Sequence, residues 1–249
     1  MINATLEARL GSKRFPNKIL KKIGKKSFLE FQIDRIKKSK YLQKIIVATT
    51  LKKEDTKIVE LSKKKKVSIY RGSSENVLKR LVNAHKINKT KIVVRLCGDN
   101  PFQDPDMIDD AIKEFLKKKC DLVVYGGGKN IRKIPYGFDV EVLSYDLLKK
   151  VYSKAKKKIH LEHPIKYVYD ELKNVKIVYM KPKNKKFHFP KFSFGLDYPD
   201  QQVFLQKVHK KLNNNYVSYK TLIKTVKNNP KLLNMAKILS EKYILNRKY

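Results

Sequence analysis

The sequence predicts an α/β fold in which a mainly parallel sheet is flanked by helices, and three observations support this prediction. Segments typical of buried strands alternate with segments of helical periodicity along the first half of the chain. Elements in this alternation are joined by right-handed crossovers, which make neighbouring strands parallel. The chain has 249 residues, of which 41% are hydrophobic, so it can bury a core of the size that such a fold needs. The same apolar content excludes a disordered chain.

The strands of the first half are predicted from short apolar runs. One run, Lys44–Thr49, does not alternate with polar residues, which is typical of a parallel strand that is buried on both faces. The predicted strands are Ile2–Leu6, Lys44–Thr49, Val67–Tyr70, Ile92–Leu96 and Asp121–Tyr125. Between them, apolar residues at helical spacing predict helices over Phe28–Ser39, Glu54–Lys65, Asn76–Asn88 and Asp106–Lys118.

The pattern changes at three consecutive glycines, 126–128, which indicate a break. Beyond them the sequence predicts strands over Gly137–Ser144, Lys173–Pro182 and Lys191–Leu196, the last as a candidate antiparallel strand. Helices are predicted over Tyr145–Ala155 and Asp200–Leu212, followed by two Lys/Asn-rich helical segments. We expect one domain over residues 1–249, with an inserted or appended region at about 126–195 and C-terminal helices at about 200–249.

The chain is strongly basic, with 59 Lys and Arg against 23 Asp and Glu and a formal charge of +36. Such a charge is compatible with nucleic-acid binding. The lysines are spread along the whole chain, however, and arginine, which reads bases, is comparatively scarce. Solvated basic faces therefore explain the charge better than a nucleic-acid groove does, and they would steer small anionic substrates towards the protein.

Cysteine content and hydropathy indicate the compartment. The two cysteines, Cys97 and Cys120, are too few for a disulfide scaffold and fit a reducing environment. The longest apolar runs are far shorter than the ~20 residues of a spanning helix, and no basic segment precedes the first strand as in a signal peptide. We therefore expect a cytoplasmic protein without a membrane partner.

Three distinctive loops follow predicted strands: Ala8–Lys18, Arg71–Asn76 and Gly98–Pro101. In open α/β sheets, ligands bind outside the carboxyl ends of the strands, so these loops predict the site. The first loop places the cations of Arg9, Lys13, Arg14 and Lys18 around the pair Gly11-Ser12. Gly11 lets backbone N–H groups approach an anion, and Ser12 adds a hydroxyl donor. The loop is suited to a triphosphate, although a basic turn that happens to contain glycine is an equal alternative.

Six segments, in order, resemble the cytidylyltransferase family, which includes the CMP-KDO and CMP-sialate synthetases and the SpsF-like enzymes of spore-coat polysaccharide synthesis. They are Glu7–Lys18, Arg71–Arg80, Val94–Phe102, Tyr136–Val142, His160–Pro164 and Phe194–Asp200. The fourth and fifth segments favour the SpsF-like branch. The resemblance implies a Rossmann-like sheet of the nucleotide-diphospho-sugar transferase type, GT-A-like in architecture.

The resemblance also implies a Mg²⁺-dependent transfer of CMP from CTP to a sugar or a phosphorylated small molecule, with release of pyrophosphate, for a surface polysaccharide. Arg9, Lys18 and Asp99 would be the catalytic residues, and Asp99 and Asp197 would hold Mg²⁺. The nucleotide would be bound by residues of the first three segments: Ala8, Arg9, Leu10, Gly11, Ser12, Lys13, Arg14, Lys18, Arg71, Gly72, Ser73, Asn76, Val77, Arg80 and Gly98.

The acceptor would be bound by Arg95, Asp139, Glu141, His160, Glu162 and His163. Its identity stays open, because the sugar-acid pocket of the sialate synthetases is not traceable in this sequence. The family implies a homodimer formed through the region after Gly126. Nucleic acid is not expected as a partner.

Structural roles remain as alternatives for several of these residues. Asp99 precedes Asn-Pro and could simply form a turn, and Asn76 could cap a helix. Asp139 and Glu141 could pair with surrounding lysines, and His160 could be a capping or core histidine. Two other functions also remain: a basic nucleic-acid-binding protein, and an inactive scaffold of the same fold.

Overall fold

Seven strands form one sheet in the protein, whose computed structural model describes residues 1–126, 132–213 and 216–245. The order across the sheet is β5-β4-β1-β6-β8-β7-β9. Its strands are β1 (Ile2–Glu7), β4 (Lys44–Thr50), β5 (Ser68–Gly72), β6 (Ile92–Cys97), β7 (Leu122–Tyr125), β8 (Val140–Ser144) and β9 (Ile177–Met180). A separate two-stranded hairpin is formed by β2 (Lys22–Ile23) and β3 (Lys26–Ser27).

The sheet is parallel except at β8, which confirms the predicted mainly parallel α/β fold. β1 pairs in parallel with β4 and β6, and β4 with β5. β8 lies between β6 and β7 and is antiparallel to both. Because of its direction, the beginning of β8 lies at the same edge of the sheet as the end of β6, where Arg95 is the partner of Glu141.

Helices cover both faces of the sheet. The described helices are α1 (Phe28–Ile36), α2 (Thr56–Lys64), α3 (Val77–Ile87), α4 (Pro105–Lys118), α5 (Tyr145–Lys154), α6 (Lys158–Glu162), α7 (Pro164–Glu171), α8 (Pro199–Lys211), α9 (Tyr219–Lys227) and α10 (Pro230–Ser240). One apolar cluster packs α3, α5 and α7 on residues such as Val93 and Val124. The other packs α1, α4 and the C-terminal helices on the opposite side chains, such as Leu6 and Val94. Alternate residues of a strand point to opposite faces, which is why one strand serves both clusters.

Local sequence signals set the beginnings of these helices. Ser27 and Glu30 form a capping box at α1, in which the Ser27 hydroxyl accepts from the Glu30 N–H at 3.2 Å and the Glu30 carboxylate accepts from the Ser27 N–H at 2.9 Å. Asp104 caps α4 ahead of a proline in the first turn. Such caps satisfy the N–H groups that a helix leaves unpaired at its beginning.

The region between Gly126 and Gly195 differs most from the prediction. Residues 191–196 do not form a strand, because their only ladder contact with the described parts of the chain is a single parallel bridge between Ser193 and Tyr136. The predicted strand over 137–144 begins only at Val140, since Gly137 adopts a φ of 98° that breaks the extended backbone. Helices α6 and α7 were not predicted. Gly127 and Gly128 of the predicted break lie outside the described residues.

No helix in the described part of the chain is long and apolar enough to cross a membrane.

Candidate active site

The loops that follow β1, β5 and β6 lie at one edge of the sheet, because these parallel strands all end there. The ends of β1 and β6 touch at Gly98, whose N–H donates to the Glu7 carbonyl at 2.8 Å. A Cβ atom at position 98 would lie 2.4 Å from that same oxygen. Only glycine allows this close approach, which places the following residue, Asp99, beside the first loop.

Lys18 brings Asp99 and Asp197 together at this edge. Its ammonium group lies 2.7 Å from Asp99 Oδ2 and 3.0 Å from Asp197 Oδ1. The Lys18 side chain is only 9% exposed, whereas those of Asp99 and Asp197 are 34% and 22% exposed. Burial alone would lower the pKa of Lys18, but the two carboxylates outweigh it and raise that pKa above its ordinary value. Three of the predicted site residues thus form one charged cluster.

Arg14 extends this cluster towards solvent. Its guanidinium group lies 3.1 Å from Asp197 Oδ1 and contacts the ring of Tyr198. The backbone of this segment is held by the buried Gln201, whose side-chain oxygen accepts from the N–H groups of Asp197 and Tyr198 at 2.6 and 3.1 Å. Asp197 therefore has a defined position at the beginning of α8 as well as its contacts with Lys18 and Arg14.

The first loop is anchored by Asp55, a residue that the sequence analysis did not identify. The Leu10 N–H donates to Asp55 Oδ1 at 2.8 Å, and the Thr50 hydroxyl donates to the other carboxylate oxygen. Asp55 is buried, and it lies five residues after the end of β4, a strand end that carries none of the three predicted loops. The side chains of Ala8 and Leu10 are buried in the core, so these two predicted residues can offer a ligand only their backbone.

Polar side chains of the first loop face solvent. Lys13 is exposed and Ser12 is partly exposed, and both follow Gly11 at the surface. Arg9 links this loop to two other elements, since it donates to the Ser74 carbonyl at 3.3 Å and lies 3.8 Å from Glu162 of α6. The first loop, the second loop and α6 therefore meet at Arg9.

The second segment is largely engaged in structure. Arg71 donates to the carbonyls of Thr50 and Lys52, both at 2.9 Å, and the buried Arg80 donates to the Ser73 carbonyl. Asn76 caps α3 by accepting from the Lys79 N–H at 2.7 Å, and the Ser73 hydroxyl accepts from the Asn76 N–H at 3.0 Å. Gly72 and Val77 are buried. The side-chain oxygen of Asn76 therefore caps helix α3, as the structural alternative predicted.

Arg95 forms the centre of the predicted acceptor side. Its guanidinium group binds both oxygens of Glu7, at 2.5 and 3.2 Å, and Glu141 at 2.7 Å. Burial acts to raise the pKa of Glu141 and to lower that of Arg95, but the pKa of Arg95 lies well above its ordinary value because two carboxylates flank it. Asp139 pairs with Arg132. The carboxylates of this segment therefore pair with arginines and not with the lysines that we had considered.

The three predicted residues around α6 do not form one cluster. His160 is buried and its Nε2 lies 2.9 Å from Asp170, while Glu162 points towards Arg9 and His163 is exposed. Among the described residues, no group of three or more His, Cys, Asp and Glu side chains is arranged to hold a metal ion. Asp99 and Asp197 remain as a pair of carboxylates that could share a cation with bound phosphates.

Comparison with known proteins identifies the family and the fold of this chain. A sequence model of the cytidylyltransferase family matches residues 4–223. An uncharacterized protein of Methanocaldococcus jannaschii is 41% identical over 177 residues, which are 71% of this chain and 70% of that protein. The spore coat polysaccharide biosynthesis protein SpsF of Bacillus subtilis is 26% identical over 90% of this chain and 93% of its own.

A solved structure described as a cytidylyltransferase, from Leptospira borgpetersenii, superposes with a TM-score of 0.86 at 28% identity and covers 93% of this chain and 95% of its own. The predicted resemblance and the predicted Rossmann-like fold are both confirmed by these matches.

Proposed function

We infer the reaction from one premise: this chain belongs to the cytidylyltransferase family and is a nucleotidyltransferase. We propose that it transfers CMP from CTP to a sugar or a phosphorylated small molecule, releases pyrophosphate, and supplies a surface polysaccharide. The similarity to SpsF supports the polysaccharide role.

The observation that carries the proposal is the cluster of Lys18, Asp99, Asp197 and Arg14. It combines two cations suited to phosphates with two carboxylates at the carboxyl edge of the sheet. A site that only bound an anion would have no use for the carboxylates. A site that only bound a metal ion would have no use for a lysine buried between them.

In the proposed reaction, an acceptor oxygen attacks the α-phosphate of CTP while the bond from that phosphorus to the β-phosphate oxygen breaks. Arg9, Ser12, Lys13, Arg14 and Lys18 hold the triphosphate and neutralise the charge that grows on the leaving pyrophosphate. If the acceptor oxygen is a sugar hydroxyl, its proton leaves to solvent or to a carboxylate of the site; if it is a phosphate oxygen, it attacks as an anion and releases no proton. Because little covalent chemistry is required of the protein, positioning and charge neutralisation supply most of the rate.

The residues present fit a divalent cation. Mg²⁺ is bound in proteins by one or two carboxylates together with substrate phosphates, and Asp99 and Asp197 form such a pair. Both carboxylates already contact a cation, the Lys18 ammonium group, which marks the place where their charge converges. Mg²⁺ bound there would neutralise phosphate charge during the transfer.

The remaining site residues are assigned by position. Ser73, Asn76 and Arg80, with the backbone of Arg71, Gly72 and Val77, would bind the cytosine and ribose, because this loop adjoins Arg9 at the same edge. Arg95, Asp139, Glu141, His160, Glu162 and His163 would surround the acceptor. Paired carboxylates can orient the hydroxyl groups of a sugar by accepting hydrogen bonds from them.

The test is thermal unfolding with CTP, UTP, ATP or GTP in the presence of Mg²⁺. A ligand at 100 times its Kd stabilises the folded protein by ~2.7 kcal/mol, which is a readily measured shift of the midpoint. We expect the shift with CTP, and we expect Asp99→Asn to reduce it while the exposed control Asp110→Asn does not. A larger shift with another nucleotide would overturn the choice of base. No shift with any nucleotide would contradict the proposed function.

We further propose that the chain acts as a cytoplasmic homodimer, as the family resemblance implies. Light scattering at micromolar concentrations is expected to give twice the mass of 29.2 kDa, and a monomer would refute the dimer.

A further inference from the structure

The C-terminal turn of the described chain contacts the segment that carries Asp197. This turn, residues Glu241–Leu245, follows α10 and lies beyond the end of the family match at residue 223. Its residue Tyr243 stacks on Tyr198, with ring centroids 3.9 Å apart and planes inclined by 6°. The Tyr243 hydroxyl donates to Asp200 Oδ2 at 2.7 Å, and Lys242 Nζ lies 2.9 Å from the same oxygen.

These contacts fall on Tyr198 and Asp200, which follow Asp197 of the cluster that we assign to the triphosphate. Tyr198 follows Asp197 directly, and its ring is also contacted by Arg14. Asp200 lies in the first turn of α8, and one of its oxygens accepts from the N–H of Gln201. Gln201 in turn holds the N–H groups of Asp197 and Tyr198.

Two routes of contact therefore connect the C-terminal turn with Arg14 and Asp197. One route is the Tyr243 ring, which fixes the Tyr198 ring against which Arg14 rests. The other is the Tyr243 hydroxyl with Lys242, which fixes Asp200 and so the first turn of α8. Although burial acts to raise the pKa of Asp200, the hydrogen bonds from Lys242 and Tyr243 lower it, so this carboxylate is held in its charged form.

We propose that Tyr243 is a positioning residue of the triphosphate site, which acts by holding Tyr198 and Asp200 so that Asp197 and Arg14 face the phosphates. The proposal rests on the proposed function, because it assumes that CTP binds at this edge. It adds a residue from outside the family match to the site. Tyr243 itself does not touch the substrate.

The experiment measures the Kd of CTP and of CMP by calorimetry, with Mg²⁺, for the 249-residue chain and its variants. CMP lacks the β- and γ-phosphates, so it reports on base and ribose binding, whereas CTP also reports on the triphosphate cluster. We expect Tyr243→Ala to weaken CTP binding by roughly three- to tenfold, the range of an aromatic pair, and to leave CMP binding within twofold of the unchanged protein.

Further variants separate the two routes and control for the loss of a tyrosine. Tyr243→Phe keeps the ring and is expected to recover most of the CTP affinity, which would show that the ring stack is the main route. Lys242→Ala tests the second route without altering the ring. Tyr152→Ala, which removes a partly exposed tyrosine of α5 on the other side of the sheet, is expected to bind both nucleotides normally.

The outcomes are distinct. A selective loss of CTP affinity in Tyr243→Ala, with recovery in Tyr243→Phe, supports the positioning role. Equal weakening of CTP and CMP, or no weakening of either, overturns it while the proposed function stands. If Tyr243→Ala does not fold, Tyr243→Leu, which keeps apolar volume but removes the aromatic ring and the hydroxyl group, decides the question: unchanged CTP affinity in Tyr243→Leu overturns the role. Failure of the unchanged protein to bind CTP overturns both proposals.

Discussion

Replacement of Lys18 by methionine tests the balance of charge in the site. Lys18→Met keeps most of the side-chain volume and removes the ammonium group from between Asp99 and Asp197. Because the carboxylates raise the pKa of Lys18, its stabilising contribution is fully present at pH 7.5 and is lost only as the pH rises through that raised pKa. The variant therefore leaves two neighbouring carboxylates without their shared cation at neutral pH.

The loss of stability that we expect for Lys18→Met follows from how deeply its ion pairs are buried. Breaking a fully buried ion pair costs about 3–5 kcal/mol, and an exposed pair contributes about 0–1 kcal/mol. Lys18 is buried, but Asp99 and Asp197 are 34% and 22% exposed, so solvent screens part of the repulsion. We expect a loss of about 2 kcal/mol, which in a chain of this length lowers the unfolding midpoint by roughly 4–8 °C. We also expect turnover to fall by about 10²–10³-fold, as when one donor to a developing negative charge is removed.

The effect of Mg²⁺ on stability tests this cluster more specifically than the loss of stability alone. Without the ammonium group, the two carboxylates should bind a free divalent cation more tightly, so MgCl₂ should stabilise Lys18→Met more than the unchanged protein. The assay is urea unfolding at pH 7.5 with MgCl₂ and with KCl of equal ionic strength, and Lys25→Met, an exposed lysine of the β2–β3 hairpin, is the control. A Lys18→Met protein as stable as the control, with the same response to Mg²⁺, would refute this account of the cluster.

Three other residues give independent tests. His85 is buried against Thr5 and Thr90, and burial lowers its pKa to about 3. The free energy of unfolding should therefore fall by about 1.4 kcal/mol per pH unit as the pH is lowered below 6.5. NMR should show a neutral His85 ring down to pH 5, and protonation near pH 6 would contradict this. Gly98→Ala would force a Cβ atom against the Glu7 carbonyl. Urea unfolding should show a loss of about 1–3 kcal/mol in the free energy of unfolding, and calorimetry should show loss of CTP binding. Normal CTP binding would show that the close approach is dispensable. Arg95→Met should cost about 3 kcal/mol at pH 7.5, because it leaves the carboxylates of Glu7 and Glu141, which are only 13% and 17% exposed, without their shared cation. The loss should shrink as the pH falls and Glu141, whose pKa burial raises, becomes protonated. A loss that does not depend on pH would point to packing instead.

The sequence alone was sufficient for the alternation of the main strands and helices in the first half of the chain, and for the edge of the sheet at which the candidate site residues of the first three segments lie. Hydrophobic periodicity is a local property, so runs such as Lys44–Thr49 and the helix after Asn76 could be identified without knowledge of the rest of the chain. The rule that ligands bind at the carboxyl ends of parallel strands then placed Arg9, Lys18 and Asp99 at one edge.

Prediction was least accurate where structure depends on distant contacts. Residues 191–196 have the composition of a strand, but no strand within 1–126, 132–213 or 216–245 pairs with them, and they make a single bridge at Ser193. Helices α6 and α7 carry a short, broken apolar pattern, and α7 is stabilised by packing of Ile165 and Val168 in the cluster beneath α3 and α5. The secondary structure of such segments is determined by tertiary packing more than by intrinsic propensity.

The candidate site, like the fold, was predictable from sequence in part only. The types of residue that could hold a triphosphate and a cation were evident in the sequence, because chemistry restricts that choice to cations, glycine and carboxylates. Only the tertiary structure decided that Lys18 lies between Asp99 and Asp197, since the last of these is 179 residues away along the chain. It also identified Asp55 as the anchor of the first loop and Tyr243 as a contact of the Asp197 segment. The physical reason is that electrostatic pairing and side-chain packing act through space, whereas a sequence pattern records only neighbours along the chain.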